Sequence, residues 1–329
     1  MMGLKSFCPA VHVQILVMLV IVMFTVVPCS SDLSFDFYAA SCPSAQFIVK
    51  NTVRSATSTD PSLPGKLLRL LFHDCFVEGC DASVLLEGNG TERGDPANAS
   101  LGGFGVIESA KRELEIFCPA TVSCADVIAL AARDAVEISG GPTVEIATGR
   151  RDGRVSAAAS VRPNIIDTTF SLDQMMRVFS SKGLSLEDLV TLSGAHTIGR
   201  AHCRAFSERF RVGATGNLTF IDASLDKDYA SRLAKQCGGS GGGTVSNDPG
   251  TPFLFDNRYY QELLAKRGLF HSDSALVSDR RTLDQVLDFA KNQASFFDSW
   301  TRSFSKLTSV GVKTGEQGEI RQTCSVANN

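Results

Sequence analysis

The sequence predicts a mainly helical protein, and three observations carry that expectation. Phe296, Phe297, Trp300, Phe304 and Leu307 recur at helical spacing along one face, with Gly311 suited to a position beyond the helix end. Val122 to Val136 is Ala-rich and amphipathic, a composition that favours helix. Ser185-Leu-Glu-Asp188 forms a capping box that opens a helix through Leu189, Val190 and Leu192 towards His196. Strand-like alternation is confined to short pieces such as Thr143-Val-Glu-Ile146. No internal repeat is visible. Gly238 to Gly243 reads as a flexible loop, and no linker divides residues 32–329, which are expected to form one domain.

Composition narrows the function classes. With 329 residues, 43% hydrophobic and 20% charged, the chain has ample material for a core and is not disordered. A formal charge of −3 argues against nucleic acid, whose phosphates attract a basic face. At the N-terminus Lys5 is the only charge before Asp32, and Ile15 to Val27 is apolar except for Thr25. Pro28-Cys29-Ser30-Ser31 follows, which completes the pattern of a cleaved signal peptide over residues 1–31. The apolar run is too short for a membrane anchor and lacks a basic stop-transfer cluster, so no membrane association is expected of the mature form. Ten cysteines less Cys8 and Cys29 leave an even number for a disulfide framework in an oxidising compartment. Spacing alone leaves the pairing open.

Hydrolase chemistry finds no support: there is no nucleophile elbow between strand and helix, the Gly238-Gly-Ser-Gly-Gly242 string being part of the glycine loop, no His-Glu-x-x-His and no phosphate-cradling loop. The informative stretch is Leu67-Leu-Arg-Leu-Leu-Phe-His-Asp-Cys-Phe-Val-Glu-Gly-Cys-Asp-Ala-Ser83. Arg69 and His73 are four apart, so a helix sets a base beside a permanent cation. Such a pair can move a proton and stabilise developing negative charge. Asp74, Asp81 and Ser83 offer hard oxygen ligands around a turn at Gly79, as calcium requires, and Cys75 and Cys80 are spaced to close a small ring there.

This stretch resembles the distal haem motif of the secreted plant (class III) peroxidases. Asp188-Leu-Val-Thr-Leu-Ser-Gly-Ala-His-Thr-Ile-Gly-Arg-Ala-His-Cys203 is similar to their proximal haem-ligand motif. Val122-Ser-Cys-Ala-Asp126, Gly149-Arg-Arg-Asp-Gly153, Phe255-Asp-Asn-x-Tyr-Tyr260 and Gly268-Leu-Phe-x-Ser-Asp273 match in the family's order, from Cys42 to Cys324.

The resemblance implies an all-α fold of two helical lobes with haem b between them, four disulfides and two calcium ions. His196 would be the axial haem ligand and Asp273 would accept its other ring N–H. His73 would move the proton of hydrogen peroxide, Arg69 would stabilise charge, Asn98 would orient His73, and Phe72 would direct donors to the haem edge. The first calcium would take Asp74, Asp81 and Ser83 with carbonyls of Val77 and Gly79. The second would take Thr197, Asp248, Thr251 and Asp256 with a carbonyl of Leu254. The implied disulfides are Cys42–Cys118, Cys75–Cys80, Cys124–Cys324 and Cys203–Cys237. Hydrogen peroxide and two small phenolic or aromatic donors would be the substrates, with radicals released onto cell-wall components. The expected protein is monomeric and extracellular, since only five residues follow Cys324 and leave no room for a vacuolar extension.

Asn89-Gly-Thr and Asn217-Leu-Thr read as glycosylation sequons. Asn98-Ala-Ser100 reads as one too, but a buried Asn98 would be a poor acceptor. Three departures from the family pattern stand out. Ile166-Asp-Thr168 replaces Pro-x-Pro at the substrate entrance, Val144 replaces a tryptophan, and Gly102 replaces an arginine. Ile166 would keep a carbonyl for a phenol, while the loss of two prolines is expected to loosen the loop and Asp167 to disfavour bulky or anionic phenols. The rival from another class is a calcium-stabilised binding protein without catalysis, against which the intact Arg69, His73 and His196 weigh.

Overall fold

The computed structural model describes residues 33–213, 217–238 and 243–328. The expected signal peptide and most of the glycine loop lie outside the described residues. Regular structure is dominated by helices in two sets. The first comprises α1 (Ala45–Thr59), α2 (Leu63–Val77), α3 (Phe104–Phe117) and α4 (Cys124–Ile138). After the short α5 (Val161–Asn164) the second comprises α6 (Leu172–Ser181), α7 (Leu186–Ser193), α8 (Lys227–Cys237), α9 (Arg258–Leu264), α10 (His271–Ser278), α11 (Arg280–Lys291) and α12 (Gln293–Leu307).

Packing follows the sets. Helix α4 lies against α1, α2 and α3, while α7 lies against α6, α11 and α12. One continuous apolar core runs through both sets, and a smaller cluster around Phe206, Phe210, Tyr229 and Leu233 sits under α8. Two short antiparallel pairs brace that cluster: β1 (Arg200–His202) with β4 (Thr244–Ser246), and β2 (Phe210–Val212) with β3 (Leu218–Ile221).

Local chemistry explains the element ends. Ser185 and Asp188 make the expected capping box of α7. On α12, Phe296, Trp300, Phe304 and Leu307 are buried, and Phe255 packs on Phe296 and Trp300. Helix α4 starts two residues later than the composition suggests, because the Ser123 hydroxyl accepts the Asp126 N–H at 3.0 Å and makes Ser123 the N-cap. It is also buried nearly all round rather than amphipathic, since helices cover it on several sides.

One expectation is corrected. Thr143 to Ile146 forms no strand: Val144 and Ile146 turn inward and Glu145 outward, but among the described residues no strand pairs with them. Gly311 lies beyond the end of α12, as expected, past the C-cap Thr308 and with a left-handed φ of +57°. It also makes a close backbone contact, since a Cβ on Gly79 would lie 2.2 Å from the Gly311 carbonyl oxygen.

All four implied disulfides are present: Cys42–Cys118, Cys75–Cys80, Cys124–Cys324 and Cys203–Cys237. The motifs Val122–Asp126 and Gly149–Gly153 meet in a fully buried ion pair. Arg150 bonds Asp126 at 2.7 Å and also donates twice to the Thr308 carbonyl, at 2.8 and 2.6 Å. The Tyr38 hydroxyl and the Gly149 N–H both donate to the other Asp126 oxygen at 2.7 Å. Removing one partner leaves the other charge buried without compensation. Asp126→Ala is therefore expected to lower unfolding free energy by about 3–5 kcal/mol, measured by denaturant titration against the parent protein.

Candidate active site

Helix α2 carries Arg69 and His73, the pair expected on the distal side. Pro64 in its first turn suits the helix start, where a missing N–H costs nothing. Arg69 and His73 then fall one turn apart on the same face, as their spacing requires. His73 is 4% exposed, and its Nδ1 lies 2.6 Å from the Asn98 Oδ1. The Asn98 amide is oriented by its own nitrogen, which donates to the Glu92 carbonyl at 2.9 Å. Its oxygen can only accept, so the network assigns the proton of His73 to Nδ1 and leaves the lone pair on Nε2. Burial, followed by the Arg69 charge, pushes the imidazole down to about 3 despite the opposing Asn98 bond. His73 is thus a neutral base at pH 7.

The same turn holds Arg69. Its guanidinium donates to the Ser100 hydroxyl at 2.9 Å and to the Ala97 carbonyl at 3.1 Å. Phe72 stands edge-on to His73 with ring centroids 5.6 Å apart. The Asn98 sequon is thereby spent twice, with Asn98 on His73 and Ser100 on Arg69.

His196, expected to be the axial ligand, sits on a short 3₁₀ turn, Gly194–Thr197, directly after α7. His196 Nδ1 bonds the Asp273 Oδ1 at 2.8 Å, and the Tyr259 hydroxyl donates to that same oxygen at 2.8 Å. The Phe270 N–H donates to Asp273 Oδ2 at 2.9 Å. Burial alone would raise the Asp273 carboxyl, but His196 and these donors hold it below its usual value, so it stays ionised. The His196 side chain is 38% exposed, and with Nδ1 engaged, Nε2 is its available nitrogen.

Helix α2 and the turn after His196 meet backbone to backbone. A Cβ on Gly65 would lie 2.5 Å from the Gly199 Cα, so only glycine permits the approach.

The peroxidase family model matches residues 49–292. Over 301 residues the chain is 64% identical to Peroxidase 18 of Arabidopsis thaliana, covering 91% of this chain and 92% of that relative. Peroxidase 46 of the same plant is 62% identical over 301 residues, again covering 91% and 92%. Peroxidase 5 of Vitis vinifera is 44% identical over 308 residues, also with 91% and 92% covered.

The chain belongs to the peroxidase family. It is an enzyme that oxidises electron donors at the expense of hydrogen peroxide, and the resemblance to the plant class III branch is borne out. The family implies a haem cofactor, and an imidazole with Nδ1 tied to a carboxylate and Nε2 available fits an axial iron ligand.

The first oxygen cluster of this peroxidase is buried and under-satisfied. Asp74 Oδ1, Ser83 Oγ and Glu92 Oε2 are buried without a hydrogen-bond partner. Burial, then the neighbouring Asp81 and Glu92, drives the Asp74 carboxyl well above its usual value, and burial pushes Glu92 up to about 7. Crowded carboxyls with spare oxygens fit a hard cation. Asp81 accepts the Ser83 N–H at 3.0 Å on one oxygen and pairs with Lys313 on the other. The Gly79 carbonyl accepts the Asp81 N–H at 2.7 Å, and the Val77 carbonyl faces Lys182 at 3.4 Å.

The second group also converges. The Thr197 and Thr251 hydroxyls lie 3.1 and 3.2 Å from Asp256 Oδ1, and Thr251 Oγ1 lies 3.4 Å from Asp248 Oδ2. Asp248 is 1% exposed, and burial raises its carboxyl. Leu254 belongs to the same loop, its N–H bonded to the Thr251 carbonyl at 3.0 Å. Among the described residues no three His, Cys, Asp or Glu side chains form a closed metal cluster; both groups instead mix carboxylates with hydroxyls and carbonyls.

Four participants carry no role in the sequence reading: Ser100, Glu92, Lys313 and Tyr259. Tyr259 stands in a quoted motif, but nothing local shows that its hydroxyl reaches residue 273.

The segment that the resemblance sets at the substrate entrance is held by hydrogen bonds. Ile166 packs against the main core. The Thr168 hydroxyl donates to the Ala205 carbonyl at 2.9 Å, and the Thr168 carbonyl accepts the Ser272 N–H at 2.9 Å. Asp167 turns back on Thr169, whose N–H and hydroxyl donate to Oδ1 at 2.9 and 2.7 Å. These hydrogen bonds tie the segment at Thr168, while the Asp167 carboxylate, though bonded to Thr169, stays exposed. Thr168→Val should remove about 1 kcal/mol of this tie and speed hydrogen exchange at the Ser272 amide, measured by NMR or mass spectrometry.

Proposed function

We propose that this peroxidase is secreted, binds haem b between His73 and His196, and oxidises two small phenolic or aromatic donors by one electron each. One observation carries the reading: His73 and His196 each have Nδ1 engaged and Nε2 free, on segments pinned together at Gly65 and Gly199. Haem b, when bound, supplies an iron that accepts two oxidising equivalents from peroxide and passes them on singly.

The chain's own residues do the rest. His196 Nε2 would hold the iron, and Asp273, by drawing on the Nδ1 proton, would make that nitrogen electron-rich. His73 Nε2 would take the peroxide proton and return it to the departing oxygen, as a neutral base held at Nδ1 by Asn98. Arg69, fixed by Ser100 and Ala97, would stabilise the charge that builds as the oxygens separate. Phe72 would screen this pocket and leave donors the haem edge near Ile166.

The two oxygen groups would each hold calcium. The first group begins at Asp74, beside His73, and the second includes Thr197, beside His196, so both ions would brace catalytic histidines. Export of the mature monomer to the cell exterior is supported by the N-terminal pattern and the four disulfides. Asn89 and Asn217 are exposed and are the glycan acceptors of this reading, whereas Asn98 is buried and committed. Released radicals would couple cell-wall components.

His73→Leu should keep haem yet slow the peroxide step in stopped-flow by ~10²–10⁴ or more; a near-normal rate would remove His73 from the mechanism. His196→Ala should lose tight haem retention, read from the Soret band of the purified protein. Exhaustive EDTA should lower the melting temperature and calcium should restore it, because binding to the folded state stabilises it by mass action.

A further inference from the structure

We propose that Tyr259 is a positioning residue for the proximal histidine, acting through Asp273 to limit how strongly the carboxylate draws on the His196 proton. The proposal rests on His196 being the iron ligand. Asp273 Oδ1 accepts two hydrogen bonds of equal length, 2.8 Å from His196 Nδ1 and 2.8 Å from the Tyr259 hydroxyl. Oδ2 is taken by the Phe270 N–H at 2.9 Å. Among the described residues, Tyr259 is the one side chain besides His196 that hydrogen-bonds this carboxylate.

Its neighbour shows that the arrangement is specific. Tyr260 is equally buried, but its hydroxyl donates to the Val190 and Thr191 carbonyls at 3.0 and 3.2 Å and so ties α9 to α7. Tyr259, 3% exposed and edge-on to the His196 ring with centroids 5.9 Å apart, spends its hydroxyl on Asp273 alone. Burial and the carboxylate both hold its phenol proton in place, so it donates throughout the working pH range. Arg209 and Tyr229 lie close enough to feel the Asp273 charge but do not bond it.

An oxygen that accepts from two donors offers each less charge than it would offer one. With the Tyr259 hydroxyl present, the imidazole keeps more of its Nδ1 proton. Without it, Oδ1 is left to His196, Nε2 becomes a stronger donor, and the oxidised metal is favoured over the reduced one.

The test is Tyr259→Phe in the haem-loaded enzyme, read by the ferric/ferrous midpoint potential and the iron–histidine stretching band. The expected result is a more negative potential, on the order of a tenfold shift in the ferric-to-ferrous ratio or ~59 mV for one electron, with the band at higher frequency. In an Asp273→Asn background the same substitution should shift neither readout, because the path through the carboxylate is gone. Site-specific 3-fluorotyrosine at position 259, a stronger donor of nearly equal volume, should move both readouts the opposite way and serves if the phenylalanine variant fails to fold. A drop in melting temperature with band and potential unchanged would overturn the proposal and leave Tyr259 a packing residue. Absence of any iron–histidine band from the unsubstituted enzyme would instead overturn the assignment of His196.

Discussion

The backbone contact between Gly65 and Gly199 fixes how the helix that carries Arg69 and His73 meets the turn that carries His196. A methyl group at Gly65 would come within 2.5 Å of the Gly199 Cα, so the start of α2 and the turn after His196 are fitted at a distance no side chain allows. Gly199, with φ +96°, also takes a left-handed conformation that an L side chain rarely adopts. From that contact the chain reaches Arg69 after four residues and His73 after eight along α2, and His196 after three residues in the other direction. A rigid helix on one side and a short turn on the other convert a single contact into a defined separation between His73 and His196. Under the proposed function small errors in that separation would be costly, because proton transfer and charge stabilisation both depend on near-contact distances.

Orientation is then imposed by partners that have no freedom of their own. Asn98 is fixed by Glu92, whose carboxyl belongs to the buried oxygen cluster beginning next to His73. Asp273 is fixed by the N–H of Phe270 at the entry to α10, before it meets His196. Each histidine is thus held by a side chain that a backbone group holds in turn. The buried Asp126–Arg150 pair plays the corresponding part for the fold, tying α4 to the end of α12 through the Thr308 carbonyl.

Residues whose partners lie within a helical turn are legible in the sequence, and those whose partners are distant are not. Arg69 and His73 are neighbours because of helical periodicity alone, and the Ser185 capping box is a local event. His196, Asn98 and Asp273 are legible only through resemblance, since a loop Asn or Asp ordinarily caps or solvates. Ser100 was hidden by its role in a sequon, and Tyr259 by a motif that says nothing of where its hydroxyl points. The alternation at Thr143 to Ile146 reports burial faithfully but not pairing, because a strand needs a neighbour that the sequence cannot display. At Ile166 to Thr168 the absence of proline is visible, whereas the bond from Thr168 to the Ala205 carbonyl is not.

The last residues of the chain finish structures begun near its start. Arg321 donates to the carbonyls of Ala82 and Gly153, its own N–H meets Asp152, Lys313 pairs with Asp81, and Cys324 is joined to Cys124. Ribosomal synthesis delivers these partners some two hundred residues after the helices they complete. Asp81 and Asp152 thus receive their partners from far along the chain, and contacts of such sequence separation are the ones that loop closure makes slow to form.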